Sequence, residues 1–218
     1  MAEPASITVQ GSATLEVAPD VATIELTVEC QADTAGDALT DLSPRSTACD
    51  AMLDSAADVV RRRITRVLSA QPVTHYDPQT GEQVRRGYLA TRTLRLELIP
   101  GPGAEALLRD LVHLDGAALA GPWWSVDPDN PAHDLARTAA ASDAGRRAAA
   151  YATGLGIGVG GPQWVSELAA PTGPTPYPVA EARFARAAGS GAEEPVSFAT
   201  ATVTVTASVT VCFAALTV

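Results

Sequence analysis

Residues 6–30, SITVQGSATLEVAPDVATIELTVEC, decide the fold class of this chain, because apolar and polar residues alternate through most of the stretch. From Ala22 to Cys30 every second residue is apolar, and the residues between them are threonine or glutamate. Such alternation is typical of a strand with one buried face. Pro19 and Asp20 separate it from a similar strand at 6–17. The pattern therefore predicts a β-hairpin, with Gly11 forming a bulge in its first strand.

Two later segments change to the period of an amphipathic helix. Residues 34–62 form an approximate helical stripe, in which Pro44 either kinks the helix or marks a start near Ser43. Residues 131–155 predict a second long helix, capped by Asn130. Its predicted buried stripe consists mostly of alanines: Leu135, Ala136, Ala140, Ala144, Ala148, Tyr151, Ala152 and Leu155. Both segments are long enough to cover one face of a sheet.

The remaining segments complete the predicted architecture. Residues 64–75 and 86–99 are predicted to form a second hairpin, and residues 196–213 form the clearest strand, with valines on one face and threonines on the other. A short helix and a strand with two adjacent tryptophans lie between them. This order predicts an α+β fold, a mostly antiparallel sheet with two long helices packed on it. We interpret residues 1–218 as a single domain with a Pro/Gly/Ala-rich loop at 171–195.

A glycine run in residues 151–164, YATGLGIGVGGPQW, matches the spacing of a dinucleotide-binding loop. Gly156, Gly158 and Gly161 fit G-x-G-x-x-G, but such a loop follows a strand and opens a helix. Here the predicted helix precedes the glycines, so the loop would meet the negative end of the helix dipole. We therefore interpret Gly154 or Gly156 as a left-handed helix cap and the rest as a turn into a strand.

Composition and charge bear on the classes of partner. The formal net charge is −10, and all fifteen basic residues are arginine, which excludes Schiff-base chemistry. The acidic balance disfavours nucleic acid and anionic membrane surfaces as partners. No run of eighteen apolar residues occurs, so we expect no membrane insertion. The first ten residues lack the basic and apolar regions of a secretory signal, so a cytoplasmic location is expected, or a periplasmic or secreted one if the N-terminus has been trimmed.

Metal-ligating and nucleophilic residue types do not fall into a recognised motif. His75, His113 and His133 lie in three different predicted elements, and residues 127–131, DPDNP, lack the glycine and glutamate of a calcium loop. The three cysteines are odd in number and far apart, which fits free thiols in a reducing compartment: Cys30, Cys49 and Cys212. We expect no metal, no cofactor and no catalytic residue.

Taken in order, several of these segments resemble the SIMPL-domain family, which includes bacterial oxidative-stress-defence and periplasmic immunogenic proteins. The matching features are Gly11 with Pro19-Asp20 and VATIELTV, then Tyr76 and Gly87-Tyr88-x-Ala90 before LRLEL, the A-x-x-x-A-x-x-D-A-x-x-x-A run from Ala136 to Ala148, and Glu194-Pro195. The resemblance implies an α+β fold and a tendency to form homo-oligomers, ring-like or channel-like in some members. It also implies binding functions, since one animal relative is an adaptor in kinase signalling. It implies no established catalytic residue.

Two surfaces are candidates for such binding. Residues 196–218 contain no charged residue, although charges usually guard an exposed strand edge. We therefore predict a possible oligomer strand with the threonines Thr202, Thr204, Thr206 and Thr210, burial within one monomer being the alternative. The adjacent Trp123 and Trp124 must point to opposite faces of a strand. We hypothesise that the exposed one lines a pocket or interface with Tyr76 or Tyr88.

These observations lead to one expected function and one alternative. We expect a non-enzymatic, homo-oligomeric protein with a binding, scaffold or stress-protective role. The alternative is a small-molecule-binding protein or an enzyme with a pocket near Trp123 and Trp124. The sequence does not identify the ligand.

Overall fold

The computed structural model describes residues 5–76, 81, 83–167 and 202–217, which divide into two compact units. In chain order the elements are β1 (Ser6–Val17), β2 (Val21–Ala32), α1 (Ala35–Ser55), β3 (Val60–Tyr76), β4 (Gln83–Leu98), α2 (Pro102–Val112), β5 (Ala117–Ser125), α3 (Ala132–Leu155), β6 (Gly158–Ser166) and β7 (Val203–Leu216). Unit 1 contains β1, α3, β6 and β7, and unit 2 contains the rest. The α+β prediction, antiparallel sheet with two long helices, is confirmed. The loop predicted at 171–195 lies outside the described residues.

Unit 1 packs α3 on a three-stranded antiparallel sheet of order β1-β7-β6. The strand face towards α3 is apolar, and its buried residues include Ile7, Val9, Val205 and Val211. The helix contributes a buried alanine at every fourth position: Ala132, Ala136, Ala140, Ala144, Ala148 and Ala152. Alanine has the highest helix propensity, and its single methyl group lets the helix axis lie close to the sheet.

Gly11 has a different role from the predicted bulge. The pairing of β1 with β7 runs without a shift from Ser6 to Val17, so the bulge prediction is wrong. A Cβ at Gly11 would lie 2.5 Å from the backbone nitrogen of Ala144 and still closer to the carbonyl oxygen of Ala140. Gly11 is therefore the point where α3 contacts the strand backbone directly.

Other features of α3 correct and confirm the sequence predictions. Leu135, Tyr151 and Leu155 are each more than 60% exposed, so the buried stripe is narrower than predicted and consists of alanine alone. At the C-terminus Gly156 has φ +68°, and its N–H donates to carbonyl oxygens of the last turn. β6 starts two residues later, at Gly158. The Gly156 cap is thus confirmed, whereas Gly158 and Gly161, which were predicted to lie in a turn, belong to the strand β6.

Unit 2 packs α1 and α2 on a four-stranded antiparallel sheet of order β3-β4-β2-β5. Its largest fully buried side chains are mainly leucines: Ile24, Leu26, Leu42, Leu53, Leu94, Leu96, Leu98, Leu111, Val28 and Cys49. The β3–β4 hairpin predicted from residues 64–99 is confirmed. The hairpin predicted from residues 6–30 is wrong, because β1 pairs with β7 while β2 pairs with β4 and β5. Alternation fixes which face of a strand is buried, but it does not fix the partner strand.

The structure decides between the two starts that the sequence allowed for α1, because the helix begins at Ala35. The Thr34 side chain accepts a hydrogen bond from the Asp37 backbone N–H, which caps the helix N-terminus. The helix then runs through Pro44, so a start near Ser43 is wrong. Its buried side chains face the sheet of unit 2: Ala38, Leu42, Cys49 and Leu53.

Candidate functional site

The threonine strand predicted as an oligomer surface is β7, the central strand of the unit 1 sheet. β1 pairs with it from Val203 to Ala214, whereas β6 pairs only with Thr210 to Leu216. Among the described residues, the edge of Val203–Val209 that faces away from β1 therefore has no strand partner. Thr202, Thr204 and Thr206 are exposed beside this edge. Thr210 lies opposite Ser166, where β6 covers the edge.

The four aromatic residues predicted to share a pocket or interface are placed at two ends of the unit 2 sheet. Trp123 on β5 lies opposite Thr23, near the start of β2, and is 41% exposed. Tyr88 lies opposite Ala32, nine residues further along β2, which corresponds to roughly 30 Å of strand. Trp124 packs against the core of unit 2. Tyr76 is the last residue of β3. The structure does not bring Trp123 together with the tyrosines.

Tyr88 instead forms a local contact with an arginine. The guanidinium of Arg85 lies 5.3 Å from the centroid of the Tyr88 ring and donates a hydrogen bond of 3.2 Å to its hydroxyl. A cation over an aromatic face is a stabilising arrangement. Both residues of this pair lie on β4.

Asp143 joins β1 to α3 in unit 1. Its Oδ2 accepts the Ser12 backbone N–H at 3.1 Å, one residue after the close approach at Gly11. Arg147 and Arg146 donate to the same carboxylate at 2.7 and 3.1 Å. The Ser12 hydrogen bond, supported by these two guanidinium groups, lowers the pKa of Asp143 below its usual range. The ionised carboxylate of Asp143 therefore links α3 to β1.

An ion-pair network joins α1 to the β3–β4 hairpin in unit 2. Arg92 donates to both carboxylate oxygens of Asp50 at 3.0 Å, and Arg63 lies 2.8 Å from Asp54. Cys49 lies next to this network, but its side chain is buried in the core. Burial raises the pKa of the Cys49 thiol, which keeps it protonated and poorly nucleophilic.

The cysteines and histidines lie at separate places in the fold. Cys30, Cys49 and Cys212 are all free and buried. His75 lies on β3, His113 follows α2, and the third histidine lies in the first turn of α3. Within the described ranges no three histidine, cysteine or carboxylate side chains are close enough to hold a metal ion. No helix in those ranges is long and apolar enough to cross a membrane.

The β3–β4 hairpin concentrates positive charge, which the sequence predictions missed. Eight of the fifteen arginines lie in residues 60–98, together with three of the twenty-five acidic residues, so this segment carries a formal charge of +5. The rest of the chain, with seven arginines and twenty-two acidic residues, carries −15. The runs Arg61-Arg62-Arg63 and Arg85-Arg86 are visible in the sequence. An average over the whole chain conceals them.

The fold and these surfaces define an α+β protein in which unit 1 packs one helix, and unit 2 two helices, on an antiparallel sheet. The chain belongs to the SIMPL family, described as "Protein of unknown function (DUF541)", which matches residues 7–213. The resemblance seen in the sequence is thereby confirmed, and the match extends over strands of both units.

Two relatives share one name. The "26 kDa periplasmic immunogenic protein" of Brucella melitensis biotype 1 is 28% identical over 216 residues, which cover 97% of this chain and 85% of the relative. The protein of that name from Brucella abortus strain S19 gives the same identity and coverage.

These names correct the expected location. A cytoplasmic location was predicted from the first ten residues, whereas both relatives are named as periplasmic proteins. The prediction is therefore wrong. It relied on a short stretch of sequence that does not determine location by itself.

Proposed function

We propose that this chain is a non-enzymatic, homo-oligomeric scaffold or binding protein of the periplasm. The observation that carries the proposal is the uncharged edge of β7 at Val203–Val209, which has no strand partner among the described residues. The names of the two relatives support the location. A stress-protective role, implied by the family resemblance, would be exerted through the assembly and not through catalysis.

The edge of β7 suits pairing with a second copy. An exposed strand edge presents backbone N–H and C=O groups that another strand can satisfy. Antiparallel pairing of Val203–Val209 with the same segment of a second chain is self-complementary, as a two-fold interface requires. It would place Thr206 opposite its own copy, and cross-strand threonine pairs stabilise sheets. The two three-stranded sheets would then continue as one.

The thiols are compatible with the proposed location. The periplasm is an oxidising compartment, in which exposed cysteines form disulfides. Cys30, Cys49 and Cys212 are each at most 7% exposed. Their burial protects them from oxidation and exchange, so three free cysteines do not argue against a periplasmic location.

Assembly can be tested by native mass spectrometry and light scattering of the full chain at micromolar concentration. The unmodified chain is expected at a multiple of its 22.4 kDa mass. The variant T204K/T206K places two charges beside the open edge and is expected to shift the protein towards monomer. The matched control T8K/T14K adds the same charge to the same sheet, on β1, where Thr14 lies opposite Thr206.

Each result has a defined meaning. An assembly that is lost in T204K/T206K and kept in T8K/T14K supports the proposal. A strictly monomeric unmodified chain contradicts it. Equal loss in both variants shows that general charge on the sheet, and not the β7 edge, controls association.

A further inference from the structure

The β3–β4 hairpin, here called the basic arm (Val60–Tyr76 and Gln83–Leu98), concentrates positive charge. It holds eight arginines and a single carboxylate, Glu97, in a protein whose net charge is −10. In the part of the chain that the structure describes, β3 is an edge strand that pairs with β4 alone. Residues 61–68 of β3 are exposed without interruption. The arm therefore presents its charge to the surroundings on both faces and along one edge.

Five of the eight arginines of the arm fall into two groups. Arg63 and Arg92 are neutralised by aspartates of α1, which ties the arm to the core of unit 2. Arg62, Arg66 and Arg86 are exposed and have no ion-pair partner among the described residues. Because an unpaired surface guanidinium keeps all five donors available, these three are suited to bind external anions, phosphate above all.

Aliphatic side chains lie between these arginines on both faces of β3. Ile64, Val67 and Leu68 are 36%, 44% and 65% exposed. Leu68 lies opposite Arg92, which bonds to α1, whereas Ile64 lies opposite Arg95 on the other face. A flat protein partner would cover one face only. A soft medium that holds both phosphate and hydrocarbon can surround the strand from both sides.

We propose that the basic arm binds the surface of an anionic phospholipid bilayer. The guanidinium groups of Arg62, Arg66 and Arg86 would donate to lipid phosphates, and Ile64, Val67 and Leu68 would enter the boundary between headgroups and acyl chains. The total charge of −10 does not prevent this contact. At physiological salt the Debye length is about 8 Å, so a phosphate touching the arm responds mainly to local charge. The proposal does not depend on assembly through β7.

The experiment is vesicle flotation of the full chain with equal parts of phosphatidylglycerol and phosphatidylcholine, compared with pure phosphatidylcholine. We expect binding to the anionic vesicles and release by 0.5 M NaCl, on the order of the ionic strengths that screen such contacts. The variant R62Q/R66Q/R86Q should bind about a hundredfold more weakly, at roughly fivefold per arginine near an anionic surface.

The control variant R109Q/R137Q/R146Q removes the same charge from exposed helix positions outside the arm. Its binding should change by less than about twofold, since the variant leaves every arginine of the basic arm in place. Circular dichroism of each variant checks folding. A second variant, L68S, keeps every arginine and should weaken binding severalfold, since it removes only an exposed apolar side chain.

Four results would overturn the proposal. The first is absence of binding to anionic vesicles, the second is equal binding to pure phosphatidylcholine, and the third is equal loss of binding in the two triple variants. The fourth is an unmodified chain that does not bind lipid while R62Q/R66Q/R86Q changes its oligomeric mass. The last result would assign the arm to contact between copies of the chain. If the triple variant only aggregates and the unmodified chain binds no vesicles, the arginines are guards of an edge strand.

Discussion

The two units solve the same packing problem with side chains of different size. In unit 2, leucines of α1, α2 and the strands interdigitate in an ordinary large-residue core. In unit 1, α3 buries only alanines and contacts the backbone of β1 at Gly11. A leucine core gains stability from buried area, whereas an alanine seam gains it from close approach. Unit 2 should therefore be sensitive to lost volume, and unit 1 to added volume.

The largest expected effect comes from adding one carbon to unit 1. In Gly11→Ala the new methyl would lie within 2.8 Å of three atoms of α3, two of them backbone atoms that cannot rotate away. We expect a loss of about 3 kcal/mol or more in the free energy of unfolding, measured by urea denaturation. Gly161→Ala on β6, where a Cβ meets nothing within 4 Å, is the control and should be nearly neutral. Similar values for the two variants would contradict the close approach.

Removing volume tests unit 2 in the opposite direction. Leu94→Ala empties a fully buried position on β4, and truncations of this kind cost about 2–5 kcal/mol. The exposed Leu135→Ala on α3 is the control, since its side chain is 63% exposed. Urea denaturation followed by circular dichroism measures both. If Leu94→Ala were as mild as its control, the contrast between the two cores would be wrong.

Charge joins helix to strand in unit 1, and this contact should depend on pH. Because the pKa of Asp143 is lowered on folding, its stabilising contribution is complete above the unfolded value of about 4 and is lost as pH falls through the folded value. Asp143→Asn should therefore lower Tm at pH 7, and the difference should shrink below pH 4. Asp134→Asn removes an exposed carboxylate of the same helix and is the control. A difference that stays constant from pH 7 to pH 3 would assign the effect to packing.

How far the sequence could predict these regions depends on the range of the interactions. Periodicity predicted most strands, both long helices and the Gly156 cap, because these depend on neighbouring residues. It failed for the partner of β1 and for the role of Gly11, because both involve residues more than 120 positions away. The separation of Trp123 from Tyr88 likewise follows from strand order, which alternation does not determine. The basic arm could have been predicted from the sequence by counting charged residues segment by segment and not only over the whole chain.

The smallest expected effect compares two glycines that both have free space around them and differ in backbone conformation. Gly145 and Gly156 both lie on α3 or at its end, and a Cβ at either position meets nothing within 4 Å. They differ in conformation, because Gly156 has φ +68° whereas Gly145 is an ordinary helical residue. Gly145→Ala should stabilise the protein by about 0.5–1 kcal/mol, since alanine loses less chain entropy on folding. Gly156→Ala should destabilise it by roughly 1 kcal/mol, since a left-handed residue with a Cβ is strained. Opposite signs in urea denaturation would show that Gly156 is required for its left-handed conformation, which Gly145 does not have. The same sign for both would mean that helix propensity alone controls these positions.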